Sequence, residues 1–211
     1  FFRSALETMS NDENTMKIRM KEVSVKKKDP DFWCHNDNWR ICIVPSLSAF
    51  IKKHPDTDIH VRYANTQTLL SFLYEGSIDF AIVEGYFKSD NYETRIFKTE
   101  EYIAVVPKTM LFQKPVHCLE TLTSECLLIR EHGSGTRAIL TKTLALKNMS
   151  IQNFPHIVEI ENIHAIVSLL CQDCGISFLY KSAVEQEIND GRLRQIPLSD
   201  FMVMHDFTFL E

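Results

Sequence analysis

The chain has 211 residues, 45% of them hydrophobic, and a net charge of −5, so it can bury a sizeable core without disulfides or metals. This composition excludes collagen-like and disordered chains, and no apolar run approaches the roughly 20 residues of a membrane-spanning helix. Three lysines at 26–28 form the only basic run, which argues against direct nucleic-acid binding by this chain.

The first 38 residues show the weakest pattern, and we interpret them as a linker or irregular arm with a short strand candidate at Met16–Met20. Trp39–Val44 is a strand-like run, and Pro45 suits the first turn of a helix that ends near His54. Ile59–Tyr63 alternates strictly between apolar and polar residues, which predicts a half-buried strand.

A helix is predicted next, with Thr66 as its cap and Gly76 at the position that favours a left-handed residue. Ile78–Val83 follows as a nearly continuous apolar run, typical of a strand buried on both faces of a parallel sheet. Strand, helix and strand in this order form a βαβ unit.

The rest of the chain repeats this alternation. The predicted strands are Tyr102–Val106, Leu127–Ile129, Ile157–Ile160, Ile176–Tyr180, Leu193–Pro197 and His205–Leu210. Helices are predicted from Thr136, Asn162 and Ser182, and Ser182 has the spacing of a capping box with Glu185. We therefore predict an α/β fold with largely parallel sheets.

Motifs for catalysis or metal binding are scarce. Cys171 and Cys174 form a C-x-x-C without a second pair, which favours core packing over metal or redox chemistry. The sequence contains no G-x-S-x-G, H-E-x-x-H, Walker A or G-x-G-x-x-G motif. We expect no enzyme activity, no cofactor, no metal and no membrane partner, and the interpretation of its cysteines as reduced thiols favours the cytoplasm.

Four stretches together resemble the effector-binding domain of LysR-type transcriptional regulators over roughly residues 47–210. They are Phe50–Asp56 with Asn65–Gln67, Leu73–Gly85, Leu128–Arg137, and Gly175–Leu179 with Ile188–Leu193. Each stretch alone is a weak signal, whereas their order and spacing are specific.

The resemblance implies the fold of type 2 periplasmic binding proteins, in which two α/β lobes are joined by crossover strands and a ligand cleft lies between them. Residues 39–101 with 201–211 would form lobe I, and residues 102–200 would form lobe II. It also implies a homodimer or higher homo-oligomer that senses a small molecule and contacts DNA only through a domain missing from this chain.

The opening segment of the domain departs from the family pattern. The family opens this domain with a strand, a Thr/Ser-rich turn that contacts the effector, and a helix that leads to a Pro-Asp pair like Pro55-Asp56. A connection from Lys17–Met20 would be too long, and one from Trp39–Ile43 would be too short. Ser46 is a candidate contact if the shortened turn still reaches the cleft.

Two polar turns are the main candidates for effector binding. Ser134, Gly135 and Thr136 precede a helix, whose positive N terminus and exposed amides suit a carboxylate or phosphate. A second turn, Asn65, Thr66 and Gln67, could reach the same cleft because ligands bind beyond the carboxyl ends of parallel strands. The alternative is that these side chains only cap their own helices.

Four further residues have two interpretations each. Glu84 ends a buried strand and would lie near the cleft, or it is a solvated residue at its lip. Asn162 is either a helix cap, which we favour, or a ligand contact. Arg130 and Arg137 flank the Gly-Ser-Gly turn and could bind a carboxylate, although most surface arginines do not.

We therefore predict a domain that binds a small anionic effector. A solute-binding transport protein of the same fold is one alternative, and an enzyme similar to prephenate dehydratase is another. The enzyme would need an acid–base pair in its cleft.

Overall fold

The computed structural model describes residues 31–35, 44–56, 60–88, 92–112 and 115–211. The strands are β1 (Asp31–His35), β2 (His60–Ala64), β3 (Phe80–Val83), β4 (Thr94–Pro107), β5 (Cys126–Arg130), β6 (His156–Ile160), β7 (Ser177–Tyr180), β8 (Leu193–Ile196) and β9 (Val203–Leu210). The α-helices are α1 (Val44–Lys53), α2 (Thr66–Tyr74), α3 (Gly135–Ala145), α4 (Ile163–Leu170) and α5 (Glu185–Asn189). Short 3-10 helices lie at Leu119–Leu122, Ile151–Asn153 and Lys181–Ala183.

The chain folds into two compact units. Unit 1 contains the described residues up to Val83, those of Lys88–Lys98, and Phe207–Glu211, and unit 2 contains Glu84–Phe87 and Thr99–Asp206. Strands β4 and β9 each run from one unit into the other. The sequence-based prediction placed the lobe boundaries at 101/102 and 200/201, a few residues from those of the two units. It also placed the segment Glu84–Phe87 in lobe I, whereas the structure groups this segment with unit 2.

Unit 1 is built on a sheet with the strand order β2-β1-β3-β9. Strand β1 is parallel to β2 and β3, and β9 returns antiparallel to β3 with Ala81 opposite Leu210. Helices α1 and α2 bury Leu47, Phe50 and Leu69. The core is therefore made by one apolar face of each helix, as the amphipathic sequence pattern requires.

Unit 2 contains two groups of strands. The second half of β4 is antiparallel to β7 and β8, and β5 is parallel to β6. The predicted predominance of parallel pairing was wrong, because β7, β8 and β9 all pair antiparallel. An aliphatic core cluster of unit 2 consists of Ile103, Val105, Leu128, Ile163, Ile166, Val167, Leu170, Leu179, Val184 and Leu193.

The first strand differs from the prediction. Strand β1 lies in the segment that the sequence analysis assigned to an irregular arm, so residues 31–35 correct that assignment. Val44, predicted to end a strand, instead begins α1. The remainder of the predicted strand at 39–43 and the candidate at Met16–Met20 lie outside the described residues.

Two local predictions also need correction. The capping box was wrong, because α5 begins after Val184 and a 3-10 helix contains Ser182. Cys171 packs at the edge of the aliphatic core, but Cys174 is exposed, so core packing explains only one cysteine of the pair. Among the described helices, none is long and apolar enough to span a membrane.

Candidate functional site

The turn between β5 and α3 holds the predicted Gly-Ser-Gly motif. Gly133 has a φ of +88°, which reverses the chain, and Ser134 is the extended residue that precedes α3. The Ser134 side chain makes no capping hydrogen bond to its helix. The residue is only 2% exposed, and its Oγ has no hydrogen-bond partner among the residues that the structure describes.

The side chain that satisfies this helix start is Glu84, which follows β3. Its Oε1 accepts hydrogen bonds from the Thr136 amide at 2.9 Å and from the Thr136 hydroxyl at 2.5 Å. The Glu84 side chain is fully buried, so it is not a solvated residue at a cleft lip. A carboxylate at this position interacts favourably with the positive end of the α3 dipole. Glu84, Ser134, Gly135 and Thr136 thus form one cluster within unit 2.

Two glycines permit the segment after β3 to approach α3. A Cβ on Gly135 would lie 2.3 Å from the Glu84 carbonyl oxygen, and a Cβ on Gly85 would lie 2.5 Å from the Gly135 Cα. Gly85 also has a φ of +82°. Glycine at these positions is therefore explained by close backbone packing, without any need for a ligand.

The environment of Glu84 favours its protonated form. Burial raises its pKa to about 7, while hydrogen bonds from Thr136 and Tyr180 oppose this increase and the nearby charge of Glu131 adds to it. Burial also raises the pKa values of Tyr102 and Tyr180 well above their ordinary value, and the Glu84 charge contributes to both. Both tyrosines therefore stay neutral hydrogen-bonding groups at physiological pH.

Tyr102 supports the same helix start. Its hydroxyl donates a buried hydrogen bond of 2.9 Å to the Thr136 carbonyl oxygen, and its ring packs edge-on against Tyr180. Neither tyrosine is predicted from the sequence as part of the site. Tyr102 on β4 lies directly opposite Tyr180 on β7, and this pairing would have identified them. It can be recognised only when the pairing of the two strands is known.

The two arginines beside the turn have protein partners. Arg130 is buried and makes a bidentate pair with Glu131 at 2.8 and 3.1 Å. Arg137 donates to the Arg130 carbonyl oxygen at 3.0 Å and pairs with Glu159, whose pKa this hydrogen bond lowers. Both guanidinium groups thus stabilise the turn itself.

The other candidates lie at separate helix starts. Asn65 caps α2 by accepting from the Thr68 amide at 3.0 Å, Thr66 is buried, and Gln67 is exposed. Asn162 caps α4 by accepting from the amides of residues 164 and 165, so its capping role is confirmed. The cap of α2 is Asn65, and the prediction of Thr66 was wrong. Ser46 lies in the first turn of α1.

Comparisons with known proteins identify the family. The model of the LysR substrate binding domain matches residues 40–209. The transcriptional regulator CbbR of Xanthobacter flavus is 26% identical over 164 residues, which cover 77% of this chain and 49% of that protein. The regulator YeiE of Escherichia coli K12, described as uncharacterized, is 26% identical over 73% of this chain and 52% of its own length. The chain spans about half the length of these relatives.

Solved structures agree on the fold. The CcmR regulatory domain of Synechocystis PCC6803, solved in complex with 2-PG, superposes with a TM-score of 0.75 at 17% identity, with 88% of each chain covered. The effector binding domain of QuiR, solved in complex with shikimate, gives a TM-score of 0.70 at 19% identity over 86% of this chain and 85% of that one. The fold is thus the periplasmic-binding-protein-like fold of such regulatory domains. With the match over residues 40–209, it follows that this chain belongs to the LysR-type transcriptional regulators, as their effector-binding domain.

Proposed function

We propose that this domain senses a small anionic effector, and that it binds the effector at the start of α3. The observation that carries the proposal is the buried Ser134 hydroxyl, which has no hydrogen-bond partner in the described part of the chain. A buried hydroxyl without a partner costs on the order of 1–3 kcal/mol of stability. A ligand that hydrogen-bonds to the hydroxyl would remove this cost, so the hydroxyl is a candidate ligand contact. The first-turn amides of a helix also lack partners within the helix.

Charge favours an anion at this position. Helix N termini stabilise negative groups, and the Ser134 hydroxyl can donate to an acceptor oxygen. The related domains were solved with 2-PG and with shikimate, which supports small-molecule binding as the role of this fold. The polar start of α2, with Asn65, Thr66 and Gln67, remains a second proposed contact region, as does Ser46 at the start of α1.

The proposed mechanism is a population shift. An effector that binds one arrangement of the protein more tightly than another shifts the equilibrium by its difference in affinity, and the DNA-binding part of the full-length regulator inherits the change. The curated relatives are named as transcriptional regulators, which supports a sensor rather than a solute transporter or an enzyme. The domain itself would then carry no catalytic group.

A thermal-shift screen tests this function. Purified protein is heated with carboxylates, sugar acids, phosphate esters, phosphate and sulfate, and the same panel is applied to Ser134→Ala and to Ser168→Ala. Ser168 is the matched control because its hydroxyl only donates to the His164 carbonyl oxygen on the exposed side of α4. We expect a concentration-dependent increase in Tm that is lost in Ser134→Ala and retained in Ser168→Ala. An increase that survives in Ser134→Ala would contradict the proposed site, and no increase with any compound would count against the sensor function.

We further propose that a second copy of the domain covers the edge of β6. Every residue of β6 before Ile160 is exposed, including Ile157 and Val158 at 41% each, and β6 pairs only with β5 among the described strands. An apolar edge strand of this kind readily pairs with another chain. Light scattering should therefore give a dimer for the native protein and for Met202→Lys, and a monomer for Val158→Lys. A native monomer, or a dimer unaffected by Val158→Lys, would contradict this interface.

A further inference from the structure

The start of α3 already holds one negative group. Glu84 Oε1 takes both the amide and the hydroxyl of Thr136, which are two of the donors that an incoming anion would otherwise use. Ser134 is the N-cap residue of α3, and the next residue, Gly135, packs directly on Glu84, since a Cβ at Gly135 would lie 2.7 Å from the Glu84 Cγ. An anion bound by the Ser134 hydroxyl would therefore lie close to the Glu84 carboxylate.

We propose that Glu84 makes this site selective for oxyanions that carry a proton, such as inorganic phosphate or a phosphate-ester monoanion, over oxyanions of the same shape that carry none, such as sulfate. The inference rests on the proposed function, because it assumes that the effector binds at Ser134. Glu84 is then the residue that determines specificity, and Ser134 is the residue that binds.

The physical reason is repulsion between two like charges in a buried place. At an effective dielectric constant of about 20, two unit charges about 5 Å apart repel enough to change an affinity on the order of 100-fold. A proton on either partner reduces this repulsion. A proton on the ligand also supplies a donor, which can bond to a carboxylate where a bare anion cannot.

Groups in the described part of the chain that act on Glu84 include Thr136 on α3, Tyr180 on β7, Tyr102 on β4 and Glu131 in the turn after β5. The first three are neutral, and Glu131 is negative. Glu131 is itself paired with Arg130, and its remaining influence on Glu84 is to favour the protonated form. Since burial raises the pKa of Glu84 to about 7, the carboxyl can also take up a proton when an anion binds.

Phosphate and sulfate form a matched pair of probes. Both are tetrahedral and similar in size, but inorganic phosphate retains at least one proton throughout the neutral range, whereas sulfate is fully ionised. Isothermal titration calorimetry would give the Kd of each ion for the native protein, for Glu84→Gln and for the control Glu185→Gln, whose carboxylate is exposed on α5. Measurements at about pH 6, 7 and 8 cover the titration of Glu84.

We expect the native protein to bind phosphate about 10-fold more tightly than sulfate at about pH 8, because sulfate binding there requires protonation of a carboxyl whose pKa is about 7. The control Glu185→Gln leaves Glu84 in place and should keep the native ratio. In Glu84→Gln we expect the ratio to fall to a few-fold, because sulfate binding becomes tighter when the carboxylate is replaced by a neutral amide.

The native protein alone supplies a second measurement. Sulfate binding should weaken as the pH rises through about 7, because ionised Glu84 repels the ion. At about pH 8, sulfate binding should take up close to one proton when buffers of different ionisation enthalpy are compared. This proton count tests the proposal even if Glu84→Gln does not fold.

Equal affinities for phosphate and sulfate in the native protein, or a preference unchanged in Glu84→Gln, would overturn the proposal. Sulfate that binds Glu84→Gln but not the native protein would support it. If neither ion binds either protein, the proposal fails, whereas the proposed function still depends on the Ser134 screen with the wider panel. The two failures are therefore distinguishable.

Discussion

The starts of α2 and α3 show two ways to satisfy a helix N terminus. At α2, Asn65 accepts from the Thr68 amide three residues later, so the cap is made entirely by the local sequence. At α3, the Thr136 amide is satisfied by Glu84, which lies 52 residues earlier, and the adjacent Ser134 makes no cap. The local cap satisfies its own helix and leaves no buried polar atom as evidence for a ligand among the described residues, whereas the long-range carboxylate leaves a buried hydroxyl, that of Ser134, beside it. The second arrangement therefore carries the functional argument.

Gly135→Ala should break the α3 arrangement most strongly. A Cβ there would lie 2.3 Å from the Glu84 carbonyl oxygen, which is backbone and cannot move as a side chain would. We expect a loss of more than about 3 kcal/mol in the free energy of unfolding, at the upper end of overpacking effects. Urea denaturation measures it, with Gly76→Ala as the control: nothing lies within 4 Å of a Cβ there, so only its left-handed φ of +67° is penalised, by about 1–2 kcal/mol. Equal losses in the two variants would show that the close approach is not required.

Glu84→Gln should change how stability depends on pH. The native pKa of about 7 lies above the ordinary value of 4.5, so the folded protein binds more protons than the unfolded chain between these values. The free energy of unfolding therefore falls as the pH rises through this window, by roughly 3 kcal/mol from Glu84 alone. Urea denaturation at about pH 4.5 and pH 8 should show this loss in the native protein and a smaller one in Glu84→Gln. Parallel losses in both proteins would contradict the assignment to Glu84.

Tyr102→Phe should weaken the same helix start by a smaller amount. It removes the buried 2.9 Å hydrogen bond to the Thr136 carbonyl oxygen but retains the ring, so we expect a loss of about 1.5 kcal/mol. Tyr92→Phe is the matched control, since the Tyr92 hydroxyl makes a longer bond of 3.3 Å to the Leu70 carbonyl oxygen in a less buried place. A larger loss in Tyr92→Phe would mean that Tyr102 does not support α3.

Much of the fold could be predicted from the sequence because it depends on local patterns. The alternation at β2, the apolar run at β3 and the left-handed Gly76 after α2 each specify their own structure within a few residues. Strand β1 was missed because Asp-Phe-Trp-Cys-His contains no β-branched residue, and its place is fixed by pairing with β2 and β3. Pairing between distant strands is not a local property of the sequence.

The contacts of the candidate site also divide into local ones, which the sequence can predict, and long-range ones, which it cannot. The caps at Asn65 and Asn162 are local contacts, and Asn162 could be identified from its position before an apolar helix. The bond between Glu84 and Thr136 joins two distant segments, so the sequence could only place Glu84 at the end of a strand. The capping box at Ser182 failed for a related reason, because the chain forms a 3-10 helix there before α5 begins.

Alanine at each helix start gives the finest test of the contrast between α2 and α3. Asn65→Ala removes a side-chain cap and should cost about 1 kcal/mol, because the Thr68 amide loses its acceptor. Ser134→Ala removes a buried hydroxyl that caps nothing, so it should be neutral or slightly stabilising in the absence of effector. Urea denaturation of both variants measures the difference, with Asn162→Ala as a second local cap that should behave like Asn65→Ala. A loss at Ser134 as large as that at Asn65 would mean that the hydroxyl serves the fold, and the case for a ligand at the start of α3 would lose its main support.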